Sequence, residues 1–210
     1  MPHVGLTGNI AVGKSCASAH FARLGAFVID ADRVAHGLFE RGAPTYRRVV
    51  EAFGEGVLGE DGEIDRRRLG DIVFASEEKR LLLNGIAHPA VRDAIAGKVA
   101  ARDAVAPGGV VIIDAALLVE TGGYRRYDRL IVVACGAEQQ LGRLMARDRL
   151  SEAAARSRIA AQMPMEEKVR FADYVIDTSG TFDATRAQVE AVYRELLQIG
   201  AGCDLSGRGR

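Results

Sequence analysis

An α/β fold, with a parallel five-stranded sheet lying between two layers of helices, is the architecture this sequence predicts. Three observations carry the prediction. Short apolar runs alternate with helix-period segments along most of the chain, the pattern of strands joined by helical crossovers. A glycine-rich loop follows the first apolar run and opens the first helical one. A stretch of about 80 residues between the second and third apolar runs is far longer than a crossover needs, so it reads as a helical insertion.

Taken in order, the first strand covers residues 3–7, and the string Gly8-Asn9-Ile10-Ala11-Val12-Gly13-Lys14-Ser15 follows it directly. A helix over 14–24 and a second strand over 26–29 come next, with Asp30-Ala31-Asp32 at that strand's end. The insertion carries helical stretches at 44–53, 65–74 and 88–104, where His88-Pro89 by itself is a helix-start signal with proline in the first turn. Strands over 110–114, 129–134 and 174–177 resume the sheet, with helices over 138–149 and 182–199. Repeated units of this kind predict right-handed crossovers. The chain divides into a core of 1–31, 108–142 and 172–199, an insertion of 32–107, an arginine-bearing lid of 143–171, and a Gly-rich flexible tail over 200–210.

The loop fits G-x-x-x-x-G-K-[ST], and the chemistry explains the pattern. Glycines at both ends let successive backbone N–H groups converge on phosphate oxygens, and the helix that follows adds its positive end. Lys14 then reaches the β/γ-phosphates, and the Ser15 hydroxyl serves a Mg²⁺ ion bridging them. The loop therefore predicts a protein that binds nucleotide phosphates. It does not by itself separate kinase, ATPase and GTPase. A regulatory GTPase needs N-K-x-D to read guanine, and the only asparagines are Asn9 and Asn84, followed by Ile10 and Gly85. D-x-x-G occurs at 177–180 and 204–207, far from a switch position, and reads as chance.

With 210 residues, of which 48% are hydrophobic, the chain can bury one substantial core and is too polar throughout for a membrane span. No leader is visible, since the first strand begins at once and Lys14 interrupts any apolar stretch, so the expected location is cytoplasmic. Cys16, Cys135 and Cys203 form no C-x-x-C pair and read as reduced thiols. The net charge of zero gives no electrostatic case for nucleic acid, and no obligatory protein partner is evident. Of 28 basic residues only four are lysines; arginine's planar fork suits bidentate phosphate contacts, although surface composition alone also accounts for many of them.

Two carboxylate positions follow from the sheet. In open parallel sheets ligands bind beyond the carboxyl ends of the strands, so Asp30 or Asp32 is placed to meet a γ-phosphate. Alternation puts both on one side if the strand continues; otherwise one of them caps a helix starting at Arg33. Asp114, after Val110-Val111-Ile112-Ile113, has the form of a Walker B carboxylate that steadies Mg²⁺, or of an ordinary strand-end turn residue. Between residues 144 and 162, Arg147, Arg149, Arg156 and Arg158 lie among good helix formers. They suit a lid that closes over polyphosphate and excludes water, or a solvated face with salt bridges.

The whole set of motifs resembles the dephospho-CoA kinase family. Gly5-Leu6-Thr7-Gly8 with the loop, Val28-Ile29-Asp30-Ala31-Asp32, Ile64-Asp65-Arg66 with Val73-Phe74, His88-Pro89, and Leu117-Leu118-Val119-Glu120 carry the likeness, which spans nearly the whole chain. It implies a P-loop NTPase fold with a helical acceptor-binding subdomain and a helical lid. It also implies transfer of the γ-phosphoryl of ATP, with Mg²⁺, to the ribose 3′-hydroxyl of dephospho-CoA, the last step of coenzyme A biosynthesis. Asp32 matches the acidic residue that orients or deprotonates that hydroxyl, and Arg147 matches the lid arginine. Gly8, Asn9, Ile10, Ala11, Val12, Gly13, Lys14, Ser15 and Cys16 match the ATP loop. Arg66, His88, Leu117, Leu118 and Glu120, with Asp32, match the acceptor site, while Ser15 and Asp114 fall to the metal. This sequence departs from the usual family pattern at Asn9 and Ala11, where glycines are common, at Cys16 for threonine, at Ala116 for proline, and at Thr178 for asparagine.

Overall fold

The apolar runs assemble into one sheet, seen in a computed structural model that describes residues 1–206, with side chains through residue 200. In chain order the elements are β1 (His3–Gly8), α1 (Lys14–Arg23), β2 (Phe27–Asp30), α2 (Ala31–Leu38), α3 (Pro44–Phe53), α4 (Arg66–Ala75), α5 (Glu77–Val105), β3 (Val111–Asp114), β4 (Arg129–Ala134), α6 (Ala137–Asp148), α7 (Glu152–Ala160), α8 (Met165–Val169), β5 (Tyr174–Asp177) and α9 (Phe182–Ser206). The strands lie in the order β2-β3-β1-β4-β5, and every pairing is parallel. All five expected strands are present, with ends within one residue of the sequence reading.

The chain forms two compact units, one of residues 1–30 with 105 onward and one of Ala31–Ala104. In the first, alternation along the strands sorts side chains to two faces. Ile131 and Val133 of β4 join Val4 and Leu6 of β1 in a core with Ala17 and Phe21 of α1 and Val189, Val192 and Leu196 of α9. Leu130 and Val132 point the other way, into a second cluster with Leu118 and Val119, flanked by Met165 and Val169 of α8. The central β3 is buried at all four positions, as a strand covered on both faces must be. Each fully buried side chain of this kind contributes roughly 1.5–3 kcal/mol over exposure.

The Ala31–Ala104 unit has its own small core of Val49, Val57, Ile64, Leu69 and Ile86. Pro44 starts α3 in the first turn, where its missing N–H is no loss. Asp65 caps α4, its Oδ1 accepting from the amides of Arg67 at 2.9 Å and Arg68 at 3.2 Å.

Two expectations are corrected. His88-Pro89 does not begin a helix: α5 runs from Glu77 to Val105 with Pro89 inside it. Pro89 removes only one i→i−4 bond, and Ile86, packed in the small core just before it, anchors the helix across the gap. Asp30 and Asp32 are not alternating strand positions either, because β2 ends at Asp30 and α2 begins at Ala31, before Arg33. At the far end α9 runs on past Gly200 to Ser206, into the segment expected as a tail; residues 207–210 lie outside the described residues. No helix among the described residues is long and apolar enough to cross a membrane. Cys16 and Cys135 are free thiols, and Cys203 falls outside the described side chains.

Candidate active site

The loop between β1 and α1 is built by steric necessity as much as by charge. A Cβ on Gly8 would meet the Val133 carbonyl oxygen at 2.7 Å, and Gly13 has φ +88° with Thr178 close by. Only glycine meets both demands. Gly13 is the N-cap of α1 and supplies no side-chain cap, so the first amides of the helix are left for a ligand. Lys14 and Ser15 are its first two residues, and Cys16 next to them is exposed.

Ala11 also has a positive φ, +60°, a left-handed conformation that costs an L-residue about 1–2 kcal/mol. It is held there by its neighbours. Gln140 of α6 donates from Nε2 to the Ile10 carbonyl at 2.9 Å, and the Ile10 amide donates to Gln162 Oε1 at 2.8 Å. Asn9 Nδ2 donates to the Met163 carbonyl at 2.9 Å. Thr178, just beyond β5, donates from Oγ1 to the Val12 carbonyl at 2.7 Å. Arg143 of α6 locks Thr178 in turn, with bonds of 3.0 Å to Oγ1 and 2.7 Å to its carbonyl. Asn9 Oδ1 is buried with no hydrogen-bond partner among the described residues.

The sheet register brings the cation of this loop to a carboxylate. Asp114 ends β3 opposite Leu6 of β1 and opposite Asp30 of β2, and its Oδ1 accepts from Lys14 Nζ. Both side chains are largely buried, which strengthens the pair relative to one in open water. Lys14 and Asp114, predicted site residues 100 positions apart in sequence, are joined directly by the fold. Asp114 was open between a metal carboxylate and a plain turn residue; its pairing with Lys14 ties it to the phosphate loop.

Arg147 closes α6 and is bound to its neighbour, Nε donating to Asp148 Oδ1 at 2.7 Å and Nη2 to Oδ2 at 3.2 Å. Arg158 of α7 joins the same carboxylate at 3.0 Å. The Arg147 hydrogen bond holds the Asp148 carboxyl below the usual carboxylate range, and the same bond raises Arg147. Arg156 pairs instead with Glu152 at 2.8 Å, the solvated-face role, and Arg149 sits at the left-handed C-cap of α6. Past β3, Leu118 is buried, Leu117 is half exposed, and Glu120 Oε1 pairs with Lys168 Nζ at 2.8 Å.

Asp32, Arg66 and His88 belong to the Ala31–Ala104 unit. Asp32 stands in the first turn of α2, its carbonyl 3.2 Å from His36 Nδ1. Arg66 is the first residue of α4, and His88 lies within α5. Sequence reasoning missed Gln140, Gln162, Thr178 as a loop anchor, Arg143 and Lys168. No motif marks them, since each acts by contact with a main-chain atom or a neighbour distant in sequence. Asp177, in the D-x-x-G read as chance, forms a turn in which Ser179 holds its carboxyl low.

The chain is similar to known proteins over most of its length. The family described as dephospho-CoA kinase matches residues 2–184. A dephospho-CoA kinase of Aquifex aeolicus is 45% identical over 94% of this chain and 99% of its own length; one of Bacillus licheniformis is 48% identical over 89% and 92%. Among solved structures, a Thermus thermophilus protein has a TM-score of 0.80 at 33% identity, covering 93% of this chain and 97% of its own. A dephospho-CoA kinase from Campylobacter jejuni has a TM-score of 0.67 at 29% identity over 93% and 97%.

Proposed function

The chain belongs to the dephospho-CoA kinase family, and on that premise we propose that it transfers the γ-phosphoryl group of ATP to the ribose 3′-hydroxyl of dephospho-CoA, giving coenzyme A and ADP. The observation that carries the reading is the phosphate loop with its lysine paired to the Asp114 carboxylate across the sheet.

Each residue has a distinct task. The amides at the start of α1, with Lys14, bind and orient the polyphosphate, so that positioning supplies much of the rate. Ser15 and Asp114 offer a hydroxyl and a carboxylate, the hard oxygen donors that Mg²⁺ takes while keeping waters and phosphate oxygens as its other ligands, so they fit the ion. Bound there, Mg²⁺ would offset charge on the phosphate oxygens. Arg147 exchanges Asp148 for the transferring group and excludes water over it. Asp32 orients the 3′-hydroxyl and takes its proton as the oxygen–phosphorus bond forms and the bond to ADP breaks. Arg66, His88, Leu117, Leu118 and Glu120 hold the rest of the acceptor, with Cys16 and the loop residues on the nucleotide side.

ADP release from Mg-ATP, measured with and without dephospho-CoA and with adenosine and AMP as rival acceptors, tests the reading. The expected result is stimulation by dephospho-CoA and a product heavier by one phosphoryl group. Stimulation by a rival alone would sink the acceptor assignment, and hydrolysis indifferent to any acceptor would indicate an ATPase. Asp32→Asn should lower kcat by about 10²–10⁴ with ATP affinity nearly intact; equal turnover would remove the role given to Asp32.

A further inference from the structure

The main-chain carbonyl of Ala116 lies two residues beyond Asp114 and accepts two side-chain donors that the phosphoryl-transfer scheme does not use. Thr7 Oγ1, at the residue before the phosphate loop begins, donates to it at 2.9 Å. Lys168 Nζ of α8 donates to it at 3.3 Å and pairs with Glu120 at 2.8 Å. Both donors are completely buried. A buried ammonium with its partners satisfied is about as stable as an apolar residue of similar size, and often less so. Stability therefore gives little reason for a lysine where a methionine would fill the same space.

The neighbours of Lys168 supply a geometric reason. Gln162 and Met163, a few residues earlier, hold the Ile10 amide and the Asn9 side chain of the phosphate loop. One short segment thus grips the loop at one end and the chain leaving Asp114 at the other. Ala115 N donates to the Leu6 carbonyl at 3.0 Å, so Ala116 sits where the β1–β3 ladder ends.

We propose that Lys168 and Thr7 are positioning residues: by converging on the Ala116 carbonyl they hold Asp114 in register with Lys14 and the phosphate loop. The inference rests on the phosphoryl-transfer reading above. Because Ala116 acts through its main chain, its departure from the usual family proline leaves the junction intact.

The test uses the full chain with Lys168→Met, Thr7→Val and Thr7→Ser. Measured for each are kcat per ADP-binding site, KM for both substrates, the dissociation constant for ADP, and the thermal midpoint. Lys168→Met and Thr7→Val should lower kcat by about tenfold or more with ADP affinity changed less than about threefold, whereas Thr7→Ser, which keeps the hydroxyl, should stay near wild type. Unchanged kcat per site alongside a lowered midpoint would overturn the proposal in favour of plain packing, as would equal losses in Thr7→Ser and Thr7→Val. Should Lys168→Met fail to fold, the threonine pair decides. A wild-type protein that hydrolyses ATP but ignores dephospho-CoA would remove the acceptor reading instead, and the same variants' hydrolysis rates would still report on the junction.

Discussion

The phosphate loop is fastened by buried or half-buried neutral hydrogen bonds to Gln140, Gln162 and Thr178, whereas Arg147 of α6 and Arg156 and Arg158 of α7 are fastened by exposed ion pairs to Asp148 and Glu152. The difference decides what each region can do. Breaking a buried hydrogen bond leaves an unsatisfied group at about 1–3 kcal/mol, so the loop holds its shape before any ligand arrives, even with Ala11 in a left-handed conformation. An exposed ion pair contributes about 0–1 kcal/mol, so an arginine can trade a carboxylate for a phosphate at little cost. Preorganisation belongs to the loop and adjustability to the helical pair.

The strongest way to break this contrast is Lys14→Ala. If the loop is a prebuilt phosphate site, kcat/KM should fall by about 10³-fold or more and ATP affinity should fall with it; an unaffected nucleotide dissociation constant would deny Lys14 its place. Thr178→Val strips the donor from the Val12 carbonyl and the acceptor from Arg143. It should destabilise the protein by about 1–3 kcal/mol in denaturant unfolding. A neutral result would mean that the loop is not held from β5.

Ala11→Gly sharpens the comparison from the opposite side. Removing the Cβ from a residue at φ +60° should stabilise by about 1 kcal/mol, a rise of roughly 2–4 °C in Tm. Destabilisation would mean that Ala11 contributes more through its packing against the cluster of Leu141, Leu144 and Ala155 than it loses in strain. The smallest effect concerns Asp148. Its carboxyl is held low chiefly by Arg147, so the stability it adds is complete above the ordinary carboxylate value and is lost only as pH falls through the lower folded value. Stability should therefore be insensitive to this group between about pH 5 and 8, and Arg147→Ala should move the Asp148 titration upward in a carboxyl-detected NMR experiment.

Legibility in the sequence followed the range of the interactions. The phosphate loop, the five strands and the helical stretch that became α4 are encoded by residues within a few positions of one another, and they stood in the sequence almost to the residue. Asp114 could be marked as a strand-end carboxylate, but its pairing with Lys14 depends on β3 lying beside β1, which only strand order supplies. Pro89 misled because its local preference for a first turn lost to a helix already begun at Glu77 and packed at Ile86 just before it. Gln140, Gln162, Thr178 and Lys168 were illegible for another reason: they bind carbonyls, amides or a single distant carboxylate, and such contacts leave no residue pattern.

By itself the sequence determined the chemistry available, because the phosphate loop is a local device: two glycines with the required backbone freedom, a lysine and a hydroxyl at fixed spacing opening a helix. It determined the family in the same way, through short motifs in order. The tertiary structure decided how that loop is held, since its anchors come from α6, from the chain after α7, and from the end of β5. It also set Asp114 beside Lys14 and gathered Thr7 and Lys168 on one carbonyl. The physical reason is that these bonds join groups from 52 to 166 residues apart in sequence, and only a packed sheet offsets the entropy of bringing such distant groups together.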